Sequence, residues 1–212
     1  MAKSDAMKPA LTLVLETSTA ACTVALFDAD DLLLGCSDAV IGRGHAEHLV
    51  PMIGDLMAGR SASTVLVGCG PGSFTGLRVG IAAAHGLAIG WDAQLLGMSS
   101  LALIAASATG DEPLAVAVTG GHGELFVQQF TRLPLVAVGA LLNLSPIAVA
   151  AKVQVPLLVG SGAQMLAEVS GPCAAYDLLP RAAAAMTLPA AFRTLHPRPI
   201  YARPADAMPR AA

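Results

Sequence analysis

Aromatic side chains are scarce in this sequence: five Phe, two Tyr and one Trp make up 4% of its 212 residues. A core short of rings has to be filled with Leu, Val, Ile and Ala, and alanine contributes little buried area per residue. The chain is therefore expected to be a marginal monomer that gains stability from a partner. Charged residues are also few, at 13%, whereas hydrophobic ones reach 55%, a balance that excludes global disorder. The formal net charge is −3, and the 12 Lys and Arg are scattered without a basic stripe. That scatter excludes tight, independent nucleic-acid binding, which needs cations gathered along the phosphates. Nucleic acid can still be the substrate of an assembly to which the chain belongs.

Metal and disulfide patterns are missing as well. Cys22, Cys36, Cys69 and Cys173 show no Cys-x-x-Cys spacing and sit in apolar runs, which reads as buried, reduced thiols. His45 and His48 stand three apart with Glu47 between them. A metal would want two His at i, i+4 or a third ligand nearby, so a solvated helix start is the better reading. His85, His122 and His196 are isolated. No metal and no cofactor is expected. Long unbroken apolar runs are lacking too: the stretch from Leu133 to Ala151 is interrupted by Pro134, Asn143, Ser145 and Pro146. A spanning helix needs about 20 mostly apolar residues, so no membrane association is expected. Lys3 and Lys8 before Leu11–Leu15 imitate a secretory signal, but Glu16 cuts its apolar segment short. The expectation is a soluble cytoplasmic protein.

What is present is an alternation of strands and helices. After a loose leader over residues 1–10, the runs Leu11–Leu15, Cys22–Phe27 and Leu32–Cys36 predict an antiparallel meander. Apolar spacing then predicts a helix over His45–Ala58, with Pro51 inside it, followed by a strand at Val65–Cys69. A second helix runs from Ser73 to about Ile89, a short strand covers Gln94–Gly97, and a helix capped by Ser99 or Ser100 begins at Leu101. Further strands are expected at Leu114–Thr119, Leu125–Phe130 and Leu157–Gly160, with helices at Gly162–Val169 and Arg181–Phe192. Pro197–Pro204 is too proline-rich for regular structure. Each half opens with strands and turns to helix, which points to two similarly built lobes, residues 1–105 and 106–212, with the C-terminal segment packing back on the first.

The most informative segment is Gly70-Pro71-Gly72-Ser73-Phe74-Thr75-Gly76-Leu77-Arg78-Val79-Gly80, between a strand and a helix. It reads either as a tight turn without ligand or as an anion cradle on a helix start. It is neither a P-loop nor a dinucleotide fingerprint, and Ser73 is not in a nucleophile elbow. Gly76, Gly80 and Ala84 recur every four residues, a ridge of small residues that lets a helix approach, from this chain or from a second one.

Taken with Leu15–Leu26, His45–Ile53, Gly97–Leu101 and Pro199–Arg203, that segment resembles the TsaB (YeaZ) family over nearly the whole chain. The resemblance implies a two-lobed actin-like, ribonuclease-H-like α/β fold of mixed sheets flanked by helices. It also implies a noncatalytic subunit in the synthesis of threonylcarbamoyladenosine beside the tRNA anticodon. Its partners would be a TsaD-like catalytic subunit and a TsaE-like ATPase, with tRNA met only through the complex and a homodimer when alone. The implied docking face takes His45, Leu49, Met52, Ile53 and Leu56 from the first helix and Gly76, Leu77, Gly80 and Ala84 from the second. Thr17, Ser18, Gly70, Gly72 and Ser73 would be a vestigial phosphate loop. Catalytic relatives carry two metal-binding His where this chain has Ser100 and Ile104, and a loop carboxylate where it has Ala20. Glu16 replaces the family's usual Asp, and Thr119–Glu124 replaces its Asp-Ala-Arg-like strand end. The alternative is an enzyme of the actin and sugar-kinase superfamily, a phosphotransferase or peptidase-like protein using the cleft between the lobes. A third reading is a homodimer with a signalling role.

Overall fold

The computed structural model of the protein describes residues 10–201. The leader up to residue 9, and Ala202 and Arg203 of the C-terminal segment, lie outside them. Strands β1 (Thr12–Glu16), β2 (Ala21–Phe27) and β3 (Leu33–Val40) form the antiparallel meander. Helix α1 (His45–Met57) returns the chain to β4 (Thr64–Gly68), which pairs parallel with β1. Helix α2 (Phe74–Trp91) then leads to β5 (Gln94–Met98), parallel to β4, and helix α3 (Ser100–Ser107) follows. The sheet order is β3-β2-β1-β4-β5.

The second half repeats this plan. β6 (Leu114–Thr119), β7 (Leu125–Arg132) and β8 (Leu135–Leu144) make a second meander. Helix α4 (Pro146–Ala150) leads to β9 (Leu157–Val159), parallel to β6, and α5 (Ala163–Ala167) leads to β10 (Ala174–Tyr176), parallel to β9. The order β10-β9-β6-β7-β8 is the first sheet's order with the corresponding strands in place.

Period-two side-chain alternation divides each buried strand between two cores. Leu13, Leu15, Val65 and Val67 face a cluster under α1 and α2, whereas Val14 and Leu66 face the opposite side. On that side they meet α3 and, from the second sheet, Leu114, Val116, Phe130 and Val159. Ala115 and Ala117 turn to a third cluster with Val149, Leu158 and Leu166. The lobes therefore share their central core. The boundary expected near residue 105 falls inside α3, whose Leu101–Ala105 are fully buried in that shared cluster.

One expected helix is broken, and two strands stand where the sequence predicted none. The stretch from Leu133 contains β8, whose apolar residues hid the strand alternation. The helix expected over Arg181–Phe192 is a 3-10 turn at Ala182–Thr187 and a four-residue α6 (Ala190–Arg193), separated at Leu188-Pro189. Pro189 lacks an N–H and disfavours helical geometry at Leu188, so alanine content alone does not carry the helix through. The strand β10 has too little apolar contrast to be seen in sequence. Pro51, in contrast, is accommodated inside a continuous α1.

The segment after β10 straps the first lobe. Ala182 N–H donates to Thr23 Oγ1 (3.0 Å), Arg181 pairs with Asp38 (3.0 Å), and Ile200 N–H donates to Cys69 O (2.8 Å). Gly97 exchanges two backbone hydrogen bonds with Leu195 (2.8 and 2.9 Å), and a Cβ at Gly97 would stand 2.6 Å from Cys69 Sγ and 2.8 Å from His196 O. No helix among the described residues is long and apolar enough to cross a membrane. Because the central core is shared, Leu103→Ala should cost about 2–5 kcal/mol while both lobes still unfold together. Denaturant unfolding followed by near- and far-ultraviolet circular dichroism tests this, and two separated transitions would contradict the shared core.

Candidate functional site

The turn after β1 is polar and yet buried: Glu16 and Ser18 are fully enclosed, and Thr17 and Thr19 nearly so. Helix α2 encloses it. Thr17 Oγ1 donates to Gly76 O (2.8 Å), and Ser73 N–H donates to Ser18 O (2.6 Å). Ser73 caps α2, its Oγ accepting from Gly76 N–H (3.2 Å). A Cβ at Gly72 would run into Ser18 O, one at Gly76 into Thr17 O, and one at Gly80 into Thr17 Oγ1. The four-residue spacing of these small residues makes a slot along one side of α2, and the first turn fills it.

The residues expected to form a docking face are largely enclosed in this fold. Gly76 and Gly80 abut the chain's own first turn, and Leu49, Ile53, Leu77 and Ala84 are buried in the core, with Met52 and Leu56 packed against it. His45 is buried too, its Nε2 2.9 Å from Thr19 O and 3.2 Å from Ala21 O, so that nitrogen carries the proton and anchors the start of α1 to the first turn. Seven of these nine residues are buried, and Met52 and Leu56 are half-buried. The outward faces of the same helices carry Val50 and Gly54 on α1 and Ala82, Gly86, Ile89 and Gly90 on α2. Val50 is 64% and Ile89 82% exposed, and a Cβ at Gly54, Gly86 or Gly90 would meet nothing within 4 Å.

Glu16 is the residue whose importance the sequence concealed. Its Oε2 accepts from the Ser100 hydroxyl (2.6 Å) and its Oε1 from Ser18 N–H. Ser100 Oγ in turn accepts from Gly70 N–H (3.0 Å), and Ser100 N–H donates to Gly70 O (3.1 Å). One carboxyl thus ties the end of β1, the glycine loop and the start of α3. The Gly68 backbone lies so close that a Cβ there would overlap the carboxyl. Burial pushes the Glu16 pKa up from 4.5, against the opposing hydrogen bonds from Ser100 and Ser18. Burial likewise raises the thiols of Cys22 and Cys69 to about 11, with the nearby Glu16 adding to it. Such thiols are protonated and unreactive near neutrality. Ile104, like Ser100, is fully enclosed on α3.

Between the lobes lies a cleft of about 450 Å³. Gly72, Ser73 and Phe74 form one wall, Thr119, His122 and Phe126 the other, and Tyr201 stands at the edge. Of the expected phosphate loop, the structure brings Gly72 and Ser73 to this cleft. Gly70 is engaged with Ser100, and Thr17 and Ser18 are sealed beneath α2, so the five residues do not form one cradle. Among the described residues no group of three or more His, Cys, Asp or Glu is placed to hold a metal ion.

Residues 37–139 match the family described as TsaD, tRNA N6-adenosine threonylcarbamoyltransferase. The chain is 32% identical over 128 residues to the Escherichia coli tRNA threonylcarbamoyladenosine biosynthesis protein TsaB, an alignment covering 57% of this chain and 54% of that protein. It thus spans about half the length of the curated relatives it matches. Two solved structures from Pseudomonas aeruginosa cover nearly all of it. One, an uncharacterized protein with similarity to peptidase YEAZ, superposes with a TM-score of 0.78 at 30% identity over 92% of this chain and 100% of that one. The other, YeaZ, gives 0.76 at 29% identity over 91% and 99%. The fold is the two-lobed actin-like α/β fold.

Two outcomes follow from the enclosed turn. Gly80→Val should destabilise the protein by about 1–3 kcal/mol or more, because its branch has to displace Thr17; unchanged denaturant unfolding would show the slot to be loose. Since the folded pKa of Glu16 lies above the unfolded 4.5, its contribution is full below that value and is lost as pH rises through the folded pKa. The unfolding free energy, followed upward from about pH 4, should fall more steeply for the wild type than for Glu16→Gln, and parallel curves would contradict this.

Proposed function

The chain belongs to the TsaB (YeaZ) family, and on that premise we propose that it is a noncatalytic subunit of tRNA threonylcarbamoyladenosine synthesis that binds and supports a TsaD-like catalytic subunit. The observation that carries the reading is the fate of the positions where catalytic relatives are expected to hold metal. Ser100 and Ile104 stand there, both enclosed, and Ser100 is spent on Glu16 and Gly70. Neither side chain is a strong metal ligand, and neither reaches an open cavity.

The proposed docking surface is the outward side of α1 and α2. Bare glycines at positions 54, 86 and 90 permit close backbone approach, and Val50 and Ile89 offer the exposed apolar surface that helix packing uses. A protein built on the same plan, with corresponding helices, is the natural occupant. A TsaE-like ATPase would belong to the same complex, tRNA would be met only through it, and the same surface would serve a homodimer in the partner's absence.

The test separates docking from folding. Gly86→Trp and Ile89→Asp should leave thermal unfolding near wild type while weakening co-elution with the catalytic relative by roughly thirtyfold or more, as a hot-spot loss of about 2 kcal/mol implies. Gly80→Trp should fail differently, by unfolding. Wild-type pairing in both surface variants would refute this face. Depletion of the chain should lower threonylcarbamoyladenosine in tRNA, read by mass spectrometry of nucleosides.

A further inference from the structure

Of the eight aromatic residues, the larger part is at least half covered, and only Phe74, Tyr176 and Tyr201 are more than half exposed. Two of those three meet. Phe74 opens α2 and Tyr201 is the last described residue of the C-terminal strap, yet their ring centroids lie 6.2 Å apart with planes inclined at 38°. Arg78, one turn along α2, sets its guanidinium carbon 3.5 Å above the centre of the Phe74 ring. Arg78 is itself exposed and makes no ion pair among the described residues. Phe74 and Tyr201 line the interlobe cleft, and Arg78 sits over the Phe74 ring.

We propose that Phe74, Arg78 and Tyr201 form a stacking platform for an unpaired nucleotide of RNA. A guanidinium seated over a ring is a cation on which a base can stack and whose N–H groups can bond a phosphate. Tyr201 supplies a second apolar face beside it. The cleft behind, about 450 Å³ and faced by Phe126 and His122, falls within the size range of small-ligand sites, roughly 300–1,000 Å³, and gives a splayed base room to enter. Exposed aromatics next to an unpaired cation suit a ligand that is both planar and anionic, and they do not suit an apolar helix, which Arg78 would oppose. Stacking also reconciles RNA contact with a net charge of −3. One cation neutralises about one phosphate, so the attraction is weak, local and little dependent on salt. The proposal rests on the preceding one only for bringing RNA within reach.

The full chain alone is titrated with a labelled, unstructured oligoadenylate, with AMP as a second arm. Phe74→Ala and Tyr201→Ala should each weaken oligonucleotide binding by roughly fivefold or more, whereas Tyr176→Ala, remote in sequence and equally exposed, should not. Arg78→Gln should flatten the salt dependence by about 0.7 in the log–log slope. Tyr201→Ala lies outside every helix and strand, so it keeps the test meaningful if Phe74→Ala disturbs α2. No binding by the wild type, or variants that bind as it does, would overturn the platform. AMP binding as tightly as the oligonucleotide would overturn the assignment to RNA. Since no partner is present, either result stands apart from whether the chain pairs with a catalytic relative.

Discussion

Helix α2 lies on the turn after β1 with glycines, and so no side chain of its own, at the points of contact. Thr17 and Ser18 occupy the volumes that Cβ atoms at Gly72, Gly76 and Gly80 would need, and their polar atoms bond to Gly76 O and Ser73 N. Glycine in a helix interior costs about 0.5–1 kcal/mol against alanine, and here that cost is offset by burying a polar turn whose hydrogen bonds are then made without water. Everything outward of α2 takes its position from this contact. The cap at Ser73 fixes where the helix starts, and so which residues reach the cleft and which reach the free surface.

The enclosed turn also explains how a carboxyl survives at the base of the fold. Glu16 has no cation facing it among the described residues, and the groups it influences most nearly are the thiols of Cys22 and Cys69. An uncompensated buried charge is expensive, which is why burial drives its pKa upward. Donors from Ser18 and Ser100 limit that penalty, and through Ser100 the same network reaches Gly70. A residue that in sequence merely ends a strand becomes the knot joining three segments.

Much of the plan could be read from the residues. The meander at the start, α1 and α2 follow from apolar spacing, and the alternation of strands with helices foretold two similar halves. Burial polarity was harder. The repeat of Gly76, Gly80 and Ala84 correctly marks a close approach, but spacing carries no record of what approaches, and the partner is a turn of the same chain. The bare positions, Gly54, Gly86 and Gly90, look no different in sequence. Phe74 and Tyr201 are 127 positions apart, a juxtaposition only the strap creates. In the sequence Ser100 stands out as a missing ligand or a helix cap, because its partners Glu16 and Gly70 lie far from it along the chain.

The shared core bears on what such a molecule can do. Two-lobed proteins that act on ligands commonly close about a hinge. Here α3 and residues from both sheets form one buried cluster, and the strap returns to bond β5, Cys69 and Thr23 on the first lobe. Opening the cleft would expose that cluster, so relative motion of the lobes competes with the stability of the whole chain. A body held this way is better fitted to present surfaces at constant spacing than to clasp a substrate. The outward sides of α1 and α2 and the aromatic corner at Phe74 are then two surfaces on one rigid frame, joined through a single helix. A partner seated on α2 would meet the corner within the same few turns, so the two proposed contacts are linked by the turn that sets where α2 begins.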